Sequence, residues 1–376
     1  MSDYRILLVA EPFGAGHIHA ANNVADALKR LQPDAQVTVI NNSAEQSGKK
    51  SGFSSHFYLG VLERLPGLYG SLYRQFDKPG GANMLFRAAY AIGPVDLKNE
   101  IESFNPQMVI ATHPLPLPTL RALRKNSGHA FALGAVITDF ICHGSWLYPD
   151  LELYFVASEQ LRDYIMIWGV SADRIAVTGV PISARFEQPI DRTAARQKMS
   201  LDMNTPVILI MGGGLGMGPM SDLLLGLNSI EKYVQLVFVT GNNAELKESL
   251  DGMISQSKHK VNVYGFTKEI PALMAAADVL VSKPGGLTCS EAIACRLPLI
   301  INEPIPGQEE DNARFLEQAG VAVMTRNVSE VLAALKRIFG ASETKMFDQL
   351  AMARLSHPDS SALIASRIIE FIDQNR

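Results

Sequence analysis

Residues 281–312, VSKPGGLTCSEAIACRLPLIINEPIPGQEEDN, gather a lysine, paired glycines and several amide and carboxylate side chains into two short loops. Lys283, Gly285, Gly286, Leu287 and Thr288 follow one apolar run, and Gln308, Glu309 and Asn312 follow a second, residues 299–301. If both runs are strands of one parallel sheet, their loops leave the same edge, where α/β folds collect ligands. Carboxylates and amides suit sugar hydroxyls, while a cation and backbone N–H groups suit a diphosphate. That chemistry fits a sugar nucleotide. Thr288-Cys289-Ser290-Glu291 also has the spacing of a capping box, in which Glu291 closes its own helix. Spacing leaves both uses of Glu291 open.

Two more glycine-rich turns precede helical patterns: Phe13-Gly14-Ala15-Gly16-His17, and Met211 followed by Gly212, Gly213, Gly214, Leu215 and Gly216. Unobstructed amides at a helix start attract anions. A dinucleotide fold wants a third glycine where this chain has His19, and an acidic residue where it reads Ile40-Asn41-Asn42. NAD is therefore disfavoured. No G-K-[ST] follows the second loop, which removes a Walker-type phosphate loop.

The elements that must position these loops read as alternating strands and helices. Apolar runs at 5–10, 37–40, 108–112, 131–138 and 154–157 are followed by 207–211, 236–240, 261–264, 279–282, 299–301 and 321–324. Nearly continuous apolar strands separated by helical patterns predict parallel sheets covered on both faces. Residues 182–206 are polar and flanked by prolines, as interdomain connectors are. The expectation is an α/β chain of two doubly wound Rossmann-like domains, 1–185 and 186–376, facing each other across a cleft. The last helix, with Ile364, Ile368, Phe371 and Ile372 on one side, fits either of them.

Residues 41–105 interrupt the alternation. Tyr58, Leu62, Leu65, Tyr69, Leu72 and Phe76 share a helical face, and residues 49–125 hold ten Lys or Arg against five Asp or Glu. A basic, aromatic-bearing amphipathic insertion near 49–90 suits an anionic membrane surface or a helix packed on its own domain. The whole chain of 376 residues has a formal net charge of −4, which argues against nucleic acid as a partner. Cys142, Cys289 and Cys295 form no CxxC pair, so neither a disulfide framework nor a zinc site is expected. The first residues lack a basic n-region, and no apolar run approaches the ~18 residues of a membrane span. These features predict a cytoplasmic protein with peripheral membrane contact open.

The pattern D-V-L-V-S-K-P-G-G-L-T-x-S-E-A followed by P-x-P-G-Q-E-x-x-N closely resembles the processive diacylglycerol glucosyltransferase and monogalactosyldiacylglycerol synthase family, GT-B glycosyltransferases of the family 28 type. The first glycine loop resembles that family's G-x-G-H segment. Thr138-Asp139-Phe140, His143 and Trp146 resemble its T-D…H…W segment, and Thr178-Gly179-Val180-Pro181-Ile182 its T-G-I-P turn.

The resemblance implies a UDP-sugar donor and a hydroxyl acceptor, diacylglycerol or a related lipid. Glu291 then bonds the ribose, the backbone near Phe266 holds uracil, and Gly213, Gly214 and the helix after Gly286 take the diphosphate. Gln308, Glu309 and Asn312 contact the donor sugar or its phosphate, with Lys283 beside them. His17, next to Gly16, becomes the base that deprotonates the acceptor, with Asp139 in support and His143 and Trp146 on the acceptor side. Trp146 also reads as a core residue. A histidine is suited to base work at neutral pH, and attack opposite the leaving group implies inversion. Fixed N–H dipoles meet the leaving-group charge, so neither a cofactor nor a metal is expected. Three other readings stay open: a soluble small-molecule acceptor, a UDP-sugar 2-epimerase of the same architecture, and a binding regulator without turnover.

Overall fold

Among the described residues, runs rich in valine, isoleucine and leucine build the inner strands of two six-stranded sheets, while the edge strands QVTVIN and KVNVY alternate with polar residues; every strand is parallel to its neighbours. The computed structural model describes residues 4–11, 16–41, 96–126, 130–340 and 346–376. It divides into two units: Met1–Ala184 with Pro306–Gln308 and Asp359–Arg376, and Arg185–Ile305 with Glu309–Pro358. The basic aromatic insertion lies outside the described residues. Among the described residues, no helix is long and apolar enough to cross a membrane.

The first sheet contains β1 (Arg5–Ala10), β2 (Gln36–Asn41), β3 (Met108–Ala111), β4 (Ala132–Val136), β5 (Leu153–Val156) and β6 (Ile175–Val177). Its order is β2-β1-β3-β4-β5-β6. Connections therefore reverse direction between β1 and β3, where Val9 pairs with Ala111. The loops after these strands begin side by side at a topological switch point, the place where such sheets bind ligands. Strand β6 is missing from the sequence expectation, because its three residues are too few to show a pattern.

The second sheet contains β7 (Val207–Met211), β8 (Gln235–Val239), β9 (Lys260–Tyr264), β10 (Val279–Ser282), β11 (Leu299–Asn302) and β12 (Ala322–Thr325). Its order, β12-β11-β10-β7-β8-β9, places the switch point between β7 and β10. Met211 pairs with Ser282 and Ser282 with Ile301. The Gly212 loop, the Lys283 turn and the segment after Asn302 accordingly leave one edge in neighbouring positions.

The C-terminal helix Ser360–Gln374 resolves the ambiguity of its apolar face by joining the first unit. Ile364, Ile368 and Ile372 are buried with Val24 and Leu28 of the Gly16–Leu31 helix. Each fully buried side chain of this size stabilises by about 2 kcal/mol. Polar contacts fix the helix start: the Ile182 N–H donates to Ser360 Oγ at 3.1 Å, and the Ser361 hydroxyl donates to the Ile182 carbonyl at 2.7 Å. In the second unit, the polar connector contains a helix of its own, Arg192–Lys198. Its Arg196 is 4% exposed; the guanidinium meets Asp278 at 2.9 Å and donates to the carbonyls of Asp202, Met203, Thr205 and Ala276. A buried cation needs that many acceptors.

Candidate active site

In the first unit, the helix Gly16–Leu31 starts at the β1 side of the switch point and carries His17 in its first turn. Thr112 follows β3 on the other side. The Thr112 hydroxyl donates to the His17 carbonyl at 3.0 Å, and His17 Nδ1 lies 2.9 Å from the Thr112 carbonyl. A carbonyl only accepts, so Nδ1 carries the ring proton and Nε2 keeps its lone pair. Thr138 Oγ1 lies 3.0 Å from the same Nδ1 and shares its proton.

His113 stands against His17 with ring centroids 4.6 Å apart and planes at 87°. It is absent from the sequence reading. Its one signal is a position two residues past β3, which becomes informative only once β3 is known to neighbour β1. His143 approaches the hydroxyl of Ser145 closely. Burial pushes the imidazolium pKa of both His17 and His143 down to about 4, and that of His113 well below its ordinary value. The sequence expectation of a near-neutral His17 is corrected downward. At neutral pH the ring is uncharged and able to accept a proton, but it is a weaker base than free imidazole.

Asp139 is buried at 6% exposure beside Thr138. Trp146 is 2% exposed and belongs to the hydrophobic core, while its carbonyl accepts from the Tyr154 hydroxyl at 2.8 Å. That burial favours packing over an acceptor wall. His19 is exposed.

In the second unit, the glycine loop after β7 needs its glycines for shape. Gly216 has φ +63°, and a Cβ there would stand 2.3 Å from the Thr240 carbonyl oxygen. At Gly213, φ +66°, a Cβ would meet nothing within 4 Å, so its outer face is open. Leu215 and Phe266, in the loops after β7 and β9, are 41% and 62% exposed.

The Lys283 turn and the segment after β11 are tied together. Lys283 Nζ donates to the Glu303 carbonyl, and Asn312 Nδ2 donates to the Pro284 carbonyl at 3.3 Å. Glu309 accepts from the Ile305 N–H at 2.9 Å, so it shapes its own loop. Gln308 opens the helix Gln308–Gln318 and groups with the first unit.

Of the two uses left open for Glu291, the capping box is not formed. The helix begins at Gly286, two residues before Thr288, and its cap Gly285 has no side chain to offer. Glu291 consequently sits in the second turn and cannot reach back as a capping residue. The amides of Gly286, Leu287 and Thr288 precede the first intrahelical bond, donated by Cys289 to Gly285 at 3.0 Å. Such amides, with the helix dipole behind them, suit a diphosphate. Burial pushes the Glu291 carboxyl up to about 8. Burial also lowers the Lys283 pKa, against the opposing pull of Glu309 and Glu303.

Residues 17–182 match the monogalactosyldiacylglycerol (MGDG) synthase family, and residues 207–359 match the glycosyltransferase family 28 C-terminal domain. The chain is similar to both families, as its sequence motifs implied. The glycosyltransferase is 28% identical over 367 residues to the processive diacylglycerol beta-glucosyltransferase of Bacillus subtilis, covering 97% of this chain and 95% of that protein. A Bacillus licheniformis protein of the same name is 29% identical over 366 residues, covering 97% and 94%. Among solved structures, MurG of Acinetobacter baumannii aligns with a TM-score of 0.60 at 14% identity, over 98% of this chain and 100% of that one. The calicheamicin glycosyltransferase CalG4 aligns at 0.59 and 13% identity, over 100% and 98%. A UDP-GlcNAc 2-epimerase from Neisseria meningitidis aligns at 0.58 and 14%, over 98% and 100%. These likenesses establish the GT-B fold. Because an epimerase shares it, the fold does not choose the reaction.

Proposed function

We propose that this glycosyltransferase moves a hexose from a UDP-sugar to the hydroxyl of diacylglycerol, with inversion, without a metal, and with His17 as base. The acceptor assignment is carried by the likeness, over 97% of the chain, to proteins named as processive diacylglycerol beta-glucosyltransferases. The base assignment is supported by the His17 Nδ1–H bond to Thr112, which leaves the lone pair on Nε2.

In this reading the acceptor O–H bond breaks as its proton passes to His17 Nε2. The oxygen bonds to the anomeric carbon, and the bond from that carbon to the diphosphate oxygen breaks. The diphosphate leaves with the electron pair and is met by the amides of Gly286, Leu287 and Thr288, with Lys283 adding positive charge. Since the unliganded ring is a weak base, proton transfer accompanies bond formation and does not precede it. Glu291 accepts from the ribose hydroxyls, and the open face of Gly213 admits the phosphates. The protein works in the cytoplasm, touching the membrane peripherally to reach a lipid acceptor.

UDP release from several UDP-sugars, with and without diacylglycerol in mixed micelles, tests the reading. Release that depends on diacylglycerol is expected, and His17→Ala is expected to lose it while still binding UDP. Release driven only by a soluble-metabolite extract overturns the lipid acceptor. Conversion of a UDP-sugar with no acceptor present points to an epimerase.

A further inference from the structure

Thr112 and His113 hold His17 through three contacts. Two are hydrogen bonds: the Thr112 hydroxyl to the His17 carbonyl at 3.0 Å, and His17 Nδ1–H to the Thr112 carbonyl at 2.9 Å. They fix the backbone and tautomer of His17. A hydrogen bond at one ring nitrogen still allows the ring to rock about that bond. The third contact, the edge-on His113 ring at 4.6 Å and 87°, opposes that rocking.

His113 is itself held in place. The Leu115 N–H donates to its Nδ1 at 3.1 Å, so the lone pair is at Nδ1 and the proton of the neutral ring is at Nε2. Pro114 follows directly and restricts the His113 backbone to extended conformations. Protonating Nδ1 would break the Leu115 bond, which favours the uncharged ring. Burial, His17 and His143 act in the same direction.

We infer that His113 is a positioning residue for His17, holding its imidazole at the angle from which Nε2 takes the acceptor proton. As an uncharged neighbour it adds no second cation when His17 becomes imidazolium. The inference rests on His17 being the base, as proposed above.

His113→Leu removes the ring, whereas His113→Phe keeps a ring that is able to stand edge-on. The leucine variant is expected to lower kcat roughly 100-fold, the scale of a displaced catalytic group. Its KM for the UDP-sugar is expected to stay within about twofold, and the phenylalanine variant to recover most of the loss. Nitrogen-15 NMR of the unliganded protein at neutral pH reads the His17 ring directly. A protonated Nδ1 with an unprotonated Nε2 is expected in all three proteins, because the Thr112 carbonyl fixes the tautomer, while nitrogen-15 relaxation is expected to show added motion of the His17 ring in the leucine variant alone. A leucine variant with wild-type kcat and no added His17 ring motion overturns the inference. So does an equal loss of kcat and thermal midpoint in both variants, which marks a purely structural ring. Failure of the wild type to glycosylate diacylglycerol sinks the acceptor assignment instead, because the NMR pattern needs no acceptor.

Discussion

Asn312 and Pro284 are joined by a 3.3 Å hydrogen bond from the Asn312 amide to the Pro284 carbonyl, and Asn312 is only 1% exposed. Sequence reasoning placed Asn312 against the donor, but its amide also ties the helix after β11 to the turn after β10. Asn312→Leu leaves the carbonyl without that donor, a cost of about 1–3 kcal/mol. If the tether keeps the diphosphate amides in register, KM for the UDP-sugar rises by about tenfold or more. Initial rates at varied donor concentration check this.

Donor binding is expected to release a proton near neutral pH. The Glu291 carboxyl, pushed up to about 8 by burial, is mostly protonated in the free enzyme at pH 7. Ribose hydroxyls donate to a carboxylate, so binding favours the ionised form. A UDP-sugar has no phosphate that titrates in this range, so the released proton comes from the protein. Calorimetry in two buffers of different ionisation enthalpy should show the release in the wild type. Glu291→Gln should bind more weakly and show none.

The histidine cluster makes the first unit sensitive to acid. His17 and His143 have folded pKa values near 4, below the ordinary histidine value of 6.5. Between these values the unfolded chain binds more protons, so stability is full above pH 6.5 and falls as pH drops toward 4. Trp146 and Trp168 both lie in this unit and report its unfolding by fluorescence. The denaturation midpoint should fall across that window, and His143→Gln should flatten the slope. A midpoint independent of pH there contradicts the burial of these rings as neutral species.

Gly216→Ala is expected to damage the donor side selectively. Its φ of +63° and the Thr240 oxygen 2.3 Å from any Cβ leave the loop no way to keep its path. The strain is of order 1–3 kcal/mol. UDP affinity is expected to drop roughly tenfold or more, while the His17 NMR pattern stays unchanged.

Most of the strands were legible because buried parallel strands are written as unbroken Val, Ile and Leu runs, as in VILIM at β7. Boundaries shifted by one or two residues, and β6 escaped because Ile175–Val177 is too short to carry a period. The loops proposed to bind the donor stood out in the sequence because glycine and lysine after an apolar run are uncommon together. The capping-box alternative for Glu291 arose for a physical reason. A cap supplied by Gly285 leaves no side-chain signature, whereas the downstream Thr288–Glu291 spacing imitates one. His113 was invisible because its partner is 96 residues away in sequence, across a strand order that the sequence does not state.

The return of the helix Ser360–Gln374 to the first unit has a consequence for biosynthesis. The chain leaves that unit at Ala184 and re-enters it for good only at Asp359. During translation the face of the Gly16–Leu31 helix that takes Ile364, Ile368 and Ile372 therefore stays uncovered while the entire second unit emerges and folds. Of the two units, the one that carries His17 is begun before the other and completed after it. A ribosome stalled anywhere before residue 360 leaves a nascent chain with a sticky apolar groove, the kind of surface that holdase chaperones recognise.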